Sequence, residues 1–213
     1  MPVKKNKKSK NLTMKSHTIP KRNDEILSVA TSIFARHGYR NTDVQLIADE
    51  LGIGKGTIYR NFPTKQELFF AALDRGMERL YAHMNKVFEE NLEPLESMKK
   101  IIRQYFAFFE RNPDLVELFI QERAEFRDRP QATYFVHKER NMDRACNIFD
   151  DLISKGVIKD LPVKSLQDVF SSLFFGTLFV HYFSRRNKPL SESAEQIIEV
   201  VIMNIFKNPK QAI

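Results

Sequence analysis

Apolar residues recur at three- and four-residue intervals along most of the chain, the spacing that aligns side chains on one face of an α-helix. Ile26, Ala30, Ile33, Phe34 and His37 form the first such stripe, which Gly38 closes. Ile47 and Leu51 form a second, ending at Gly52-Ile53-Gly54, and Ile58 with Phe62 form a third from Lys55 onward. A long stripe then runs from Leu68 to Phe88 without a proline. It predicts a helix of about six turns that starts at Lys65, with Gly76 as a soft point. Prolines cut the remainder into further helices: Pro94 to Glu110, Pro113 to about Phe126, and one long helix from behind Pro130 to Lys155-Gly156. Lys164 to Arg186 and Glu192 to Phe206 complete the pattern. The fold expected is all-α, with about nine helices. A helix-turn-helix head spans residues 23–68 and a larger helical body spans 69–207, with a basic arm at 1–22 and a tail at 208–213.

The most informative stretch is Thr42 to Leu68. Thr42-x-x-Gln45 and Thr64-x-x-Glu67 both have the capping-box form, in which a hydroxyl and a side-chain oxygen satisfy the free amides of a helix start. Gly52 supplies the left-handed residue that ends the helix between them. The second short helix turns Ile58 and Phe62 inward and Lys55, Thr57, Tyr59, Arg60 and Asn61 outward. Arginine and lysine donate to guanine, asparagine pairs with adenine, and threonine meets the thymine methyl in a major groove. Lys55 and Lys65 each sit on the first turn of a helix, where a cation is unfavourable unless a phosphate accompanies it. Arg40, in the connection before Thr42, is within reach of a phosphate too. The alternative for the whole motif is packing, with a solvated polar face.

Ile47-Ala48-Asp49-Glu50-Leu51-Gly52-Ile53-Gly54-Lys55-Gly56-Thr57-Ile58-Tyr59-Arg60-Asn61-Phe62, with Lys65 and Leu68 behind it, resembles the DNA-binding domain of the TetR family of bacterial transcriptional repressors. The resemblance covers roughly Arg22 to Leu73. It implies a homodimer with a three-helix reading head and a C-terminal domain that dimerises and binds a small-molecule inducer. It also places Thr42, Lys55, Gly56, Thr57, Tyr59, Asn61 and Lys65 at DNA, to which the outward face adds Arg60. Implied with it is a repressor on a palindromic operator, released when effector binding changes the spacing of two heads that must fit major grooves about 34 Å apart.

Within the body, a hydrophobic effector is expected between the middle helices, where bundles hold small molecules in mostly apolar cavities. The candidate residues are Tyr105, Phe109, Phe119, Glu122, Cys146, Phe149 and His181. Glu122 falls on an apolar stripe with Leu115, Phe119 and Phe126, so it needs Arg123, Arg127 or a neighbouring helix as partner, or else anchors a ligand. The two last helices are apolar enough to suggest a dimer interface of four helices across a two-fold axis. Ser172, Gly176, Phe179, Phe183, Ile198, Val201, Ile202 and Ile205 are its candidates. The alternative is that these helices cover the inside of one subunit.

Composition narrows the function classes. The net charge of +7 is local: residues 1–22 hold eight of the 34 lysines and arginines and no acid. Such a segment is expected to be disordered alone, serving as a phosphate or minor-groove arm or as a solubilising tail. The single cysteine excludes an intrachain disulfide and fits a reducing cytoplasm. No apolar run follows the basic N-terminus, so no signal peptide is expected. The five histidines stand apart, with no Cys-x-x-Cys, no glycine-rich phosphate loop and no Gly-x-Ser-x-Gly elbow, so neither an enzyme nor a cofactor is expected. The rival to a DNA-binding regulator is a helical adaptor that binds another protein and no small molecule.

Overall fold

A computed structural model of the chain describes residues 21–184 and 188–207. Most of the basic arm and the whole of the C-terminal tail lie outside the described residues. The helices run α1 Lys21–His37, α2 Val44–Glu50, α3 Lys55–Asn61, α4 Lys65–Asn85, α5 Pro94–Arg111, α6 Pro113–Glu125, α7 Thr133–Arg140, α8 Met142–Ser154, α9 Val163–Phe183 and α10 Leu190–Ile197. A 3-10 turn, Lys86–Glu90, follows α4, and a π-helical turn, Ile198–Ile202, leads from α10 into the short α11 Met203–Ile205. Lys21 and Arg22 thus begin α1 instead of ending the arm. The architecture is all-helical, as the spacing of apolar residues predicted, with an isolated antiparallel bridge between Ile158 and Phe206 as its one extended pairing among the described residues.

One apolar core runs from Ile26 in α1 to Phe206 behind α11. The head joins the body through aromatic contacts: Phe34 and Phe69 meet edge to face at 5.1 Å, and Phe126, just past α6, packs 4.8 Å from Tyr39 and 4.7 Å from Phe70. Gln121 in α6 donates to the Phe34 carbonyl at 2.9 Å, and Arg40 pairs with Glu125 at 2.6 Å. The reading head is therefore seated on α6, and a shift of α6 would reach it directly.

Gly76 acts through close packing and not as a soft point. A Cβ there would lie 2.5 and 2.8 Å from the two methyls of Leu115, a side chain that is itself buried. The absence of a side chain lets α6 start against the middle of α4. Gly76→Ala improves helix propensity by about 1 kcal/mol but overpacks this crossing by about 1–3 kcal/mol. The expected result is a net loss of up to about 2 kcal/mol in urea unfolding; a more stable variant would contradict the packing role.

One expectation about a helix boundary and one about a dimer face are corrected. The long helix behind Pro130 is two helices, broken at Asn141, whose side-chain amide donates to the His137 carbonyl at 2.8 Å and competes with the backbone ladder. The cavity-lining positions continue through the break at helical spacing, from Tyr134, Lys138 and Asn141 to Ala145, Ile148 and Leu152 with Phe149 beside them, whereas Cys146 is half-buried next to that face. Near the C-terminus the π turn adds a residue to one helical turn. Ile198, Ile202 and Ile205, expected at a dimer face, instead pack into the subunit core, and Val200 turns outward at 66% exposure.

Candidate functional site

The geometry of the head follows from its end signals. Gly52 adopts φ +61, Gly52 N–H donates to the Asp49 carbonyl at 3.1 Å, and Ile53 N–H donates to Ala48 at 2.9 Å. This pair of bonds is the glycine-terminated helix end known as a Schellman motif. It turns the chain sharply into α3. Thr64 caps α4, accepting from Glu67 N–H at 3.0 Å, as its capping box predicted.

The cap of α2 is corrected by one residue. Asp43, not Thr42, is the N-cap, and its carboxylate accepts from Gln45 N–H at 2.8 Å. Thr42 is buried and donates its hydroxyl to the Gly38 carbonyl at 2.7 Å, tying the α1–α2 connection to itself. Asp43 also receives Lys55 Nζ at 2.5 Å, and Lys55 lies 5.9 Å from the Tyr59 ring centre. The Gln45 amide first, and the Lys55 ammonium after it, hold the Asp43 carboxyl below the usual carboxylate range, and the same contact raises Lys55. One carboxylate therefore caps α2 and presets the first cation of α3.

Ile58 alone in α3 is buried. Gly56, Tyr59, Arg60 and Asn61 are exposed, and Lys55 and Thr57 half-exposed. Space above Gly56 is open, with nothing within 4 Å of where a Cβ would stand. Arg60 donates to the Thr57 hydroxyl at 3.1 Å and Asn61 to the Thr57 carbonyl at 3.1 Å, so three polar side chains are gathered on one side of the helix. Lys65 is used differently. Its ammonium donates to the carbonyls of Tyr39, Arg40 and Thr42 at 2.9, 3.2 and 3.1 Å and lies 4.6 Å from the Tyr39 ring centre. With three donors on three carbonyls, it clasps the connection between α1 and α2 to the start of α4. Thr42 and Lys65 position the head, and Arg40 is held by Glu125 at the edge of the body.

In the body, α4, α5, α7, α8 and α9 enclose a cavity of about 410 Å3, within the range of small-molecule pockets. Of the seven candidates read from sequence, Tyr105 and Phe149 line it. Phe109 and Phe119 are core, Cys146 and His181 are half-buried elsewhere, and Glu122 has protein partners. Its carboxylate accepts from Thr133 N–H at 3.0 Å, from the Thr133 hydroxyl at 2.8 Å and from Arg129. The Arg129 guanidinium in turn lies 4.2 Å from the Phe70 ring centre. Residues the sequence did not single out complete the cavity, among them Tyr81, Met84, Tyr134, Ile148, Phe170 and Phe174. Tyr81 and Met84 lie on the long α4 stripe, which reads as plain core. In α8 the cavity takes Ala145 and Ile148, each one residue before the candidates Cys146 and Phe149.

Residues 26–72 match the family model of bacterial regulatory proteins, tetR family. The chain carries a tetR-family N-terminal domain. The match covers α1 to α3 and the first turns of α4, the same elements that present the exposed face of α3. The tetR likeness extends into the body in known relatives. The HTH-type transcriptional repressor KstR2 of Mycobacterium tuberculosis is 26% identical over 136 residues, 64% of this chain and 66% of its own length. The match thus spans just under two thirds of that relative. The solved KstR2 structure superposes with a TM-score of 0.64 at 23% identity, over 89% of this chain and 97% of that one. The tetR-family regulator PfmR of Thermus thermophilus gives 0.65 at 21% over 82% and 95%. FadR of Bacillus subtilis, solved in complex with stearoyl-CoA, gives 0.70 at 18% over 85% and 98%. At these identities the structural likeness establishes the fold. Among the described residues no helix is long and apolar enough to cross a membrane, and no group of His, Cys, Asp and Glu side chains is placed to hold a metal ion.

Proposed function

We propose that the chain is a sequence-specific transcriptional regulator, a homodimer that represses from a palindromic operator and is released by a small hydrophobic effector. The observation that carries the DNA reading is the coincidence of the tetR-family domain with a helix whose only buried residue is Ile58 and whose Lys55, Thr57, Tyr59, Arg60 and Asn61 are presented to solvent. Helix α3 would enter a major groove, with Lys55 and Arg60 at guanine or phosphate, Asn61 at adenine and Thr57 at a thymine methyl. Gly56 leaves room for the sugar-phosphate backbone. Arg40, at the edge of the head, would reach a flanking phosphate on release from Glu125.

The dimer reading draws on α9. Val169, Ser172, Gly176, Val180 and Phe183 follow one another at three- and four-residue steps, and Val169, Val180 and Phe183 are 58, 51 and 63% exposed. Val200, near the C-terminus, is a further apolar side chain turned outward, 66% exposed. Nothing among the described residues stands within 4 Å of a Cβ at Gly176, which leaves a notch for a second helix. A two-fold contact through this stripe would set two heads against the two half-sites of a palindrome. Phe179 and Val201 flank it.

The cavity supports the effector reading, and FadR, of like fold, is described with stearoyl-CoA. Coupling would pass through α7. Tyr134 lines the cavity, Thr133 beside it binds Glu122 of α6, and His137 is 2.9 Å from Asp74 of α4. A ligand that moves Tyr134 acts on both helices that carry the head.

Lys55→Ala and Thr57→Ala are the direct test of the reading face, measured by anisotropy on a duplex that the wild-type chain selects. Each is expected to weaken binding by ten- to a hundredfold, equivalent to about 1–3 kcal/mol per lost contact, with the helical spectrum unchanged. Lys55→Ala should also make the salt dependence shallower by about one power of concentration if its partner is a phosphate. Equal affinity of both variants and wild type would overturn the assignment of α3 as the reader.

A further inference from the structure

The cavity is lined by three tyrosine hydroxyls together with Asn85, Asn91, Ser97, Asn141, Gln167 and Ser171, of which Ser97, Asn141 and Ser171 already donate to the backbone carbonyls of Leu92, His137 and Gln167. Tyr105 and Tyr134 are both buried, with hydroxyl oxygens 3.0 Å apart, and Tyr81 of α4 lines the same space. Three phenols carry three O–H donors. One is engaged between Tyr105 and Tyr134, and the other two have no acceptor among the described residues. Phenol donors that face an apolar cavity ordinarily find a partner, and a carbonyl oxygen has two lone pairs to meet two of them.

The charge of the walls selects further. Among the described residues Lys138 is the one charged group lining the cavity, and its ammonium already meets Asp168 at 3.1 Å. Burial raises all three phenols above the ordinary tyrosine value, with Tyr134 pushed up to about 12. They stay protonated donors at any physiological pH. The desolvation that keeps these groups neutral also penalises a carboxylate placed among them. Apart from uncharged amide and hydroxyl side chains, the remaining walls, such as Met84, Ile101, Ile148, Phe170 and Phe174, are apolar.

We propose that the cavity takes an uncharged, mainly apolar molecule with one carbonyl-type oxygen, which docks on the hydroxyl cluster of Tyr81, Tyr105 and Tyr134. This deepens the effector reading above and rests on it. A carboxylate-bearing molecule of the same length is disfavoured because no unpaired cation among the described residues lines the cavity to receive it.

The test uses the full chain with methyl nonyl ketone and with undecanoate, two eleven-carbon probes that differ in charge, titrated calorimetrically at neutral pH. The ketone is expected to bind at least tenfold more tightly than the carboxylate. The double variant Tyr105→Phe with Tyr134→Phe removes both members of the hydrogen-bonded pair and keeps the rings, a change close to neutral for folding. It is expected to weaken ketone binding about tenfold, and Tyr81→Phe alone to weaken it severalfold. Equal or tighter binding of undecanoate, ketone binding unaltered in the double variant, or no ketone binding up to its solubility would each overturn the proposal. Duplex binding measured on the same preparation keeps the two readings apart. DNA binding without ketone binding removes the ligand class alone, and ketone binding without DNA binding removes the regulator.

Discussion

Glu122→Ala is expected to lower the unfolding free energy by about 3–5 kcal/mol, the range for removing one member of a buried charged network. Glu122 is 2% exposed and is the acceptor for three donors, two of them on the fully buried Thr133. Its loss leaves the buried Thr133 amide unpaired, removes the acceptor of the Thr133 hydroxyl, and leaves Arg129, beside Phe70, with the Thr133 hydroxyl alone in place of the carboxylate. For a chain of this length the melting temperature should fall by roughly 10 °C. Glu122→Gln keeps one acceptor oxygen and should lose about half as much. A fall of less than about 2 °C for the alanine variant would mean that the α6–α7 junction is held by apolar packing and not by this network. The junction also links the cavity to the head, because Thr133 is next to Tyr134 of the cavity and Glu122 is on the helix that seats the head.

Alkaline pH should destabilise the chain steeply, through the same tyrosines. The phenols of Tyr81, Tyr105 and Tyr134 are raised by burial in the folded chain, against an ordinary value of 10.0. A group raised on folding contributes its full stability below the unfolded value and loses it as pH climbs toward the folded one. Loss therefore begins near pH 10 and continues to about pH 12 and beyond. Each phenol removes about 1 kcal/mol between pH 10 and pH 11, where the unfolded phenol passes from half to nearly full ionisation, or about 3 kcal/mol for the three. Tyr39 and Tyr182 are raised as well and act in the same direction. Urea unfolding followed across this range checks the slope. The variant with Phe at 105 and 134 should lose roughly two thirds of it, and a slope unchanged in that variant would place the sensitivity elsewhere.

The head was legible in the sequence because its signals are local. Gly52 ends α2 and Thr64 starts α4 through bonds that span five residues or fewer. The cap of α2 was misplaced because two good capping residues stand side by side. The turn at Gly38 draws the Thr42 hydroxyl back to its carbonyl and leaves Asp43 to cap. Contacts between residues far apart in sequence were not legible. Nothing near Lys65 indicates that its ammonium closes on carbonyls 23 to 26 residues earlier. Glu122 was recognised as a carboxylate in need of partners, but Arg129 and Thr133 come to it only through the loop after α6. In the body, helix phase decided which residues face the cavity. In α8 the cavity takes Ala145, Ile148 and Leu152, each one residue before Cys146, Phe149 and Ile153, an offset that apolar spacing alone does not resolve, and Ile198, Ile202 and Ile205 share one apolar face that their own subunit covers.

Selection of bound sequences from random double-stranded DNA, by the full-length chain at two salt concentrations, tests the regulator reading most directly. Enrichment of a palindrome, with two half-sites about one helical turn or a multiple apart, is the expected result, and retention should weaken steeply at the higher salt. No enriched sequence at either salt, from protein that is folded and dimeric, would contradict it. The exposed face of α3 would then have to be assigned to a protein partner.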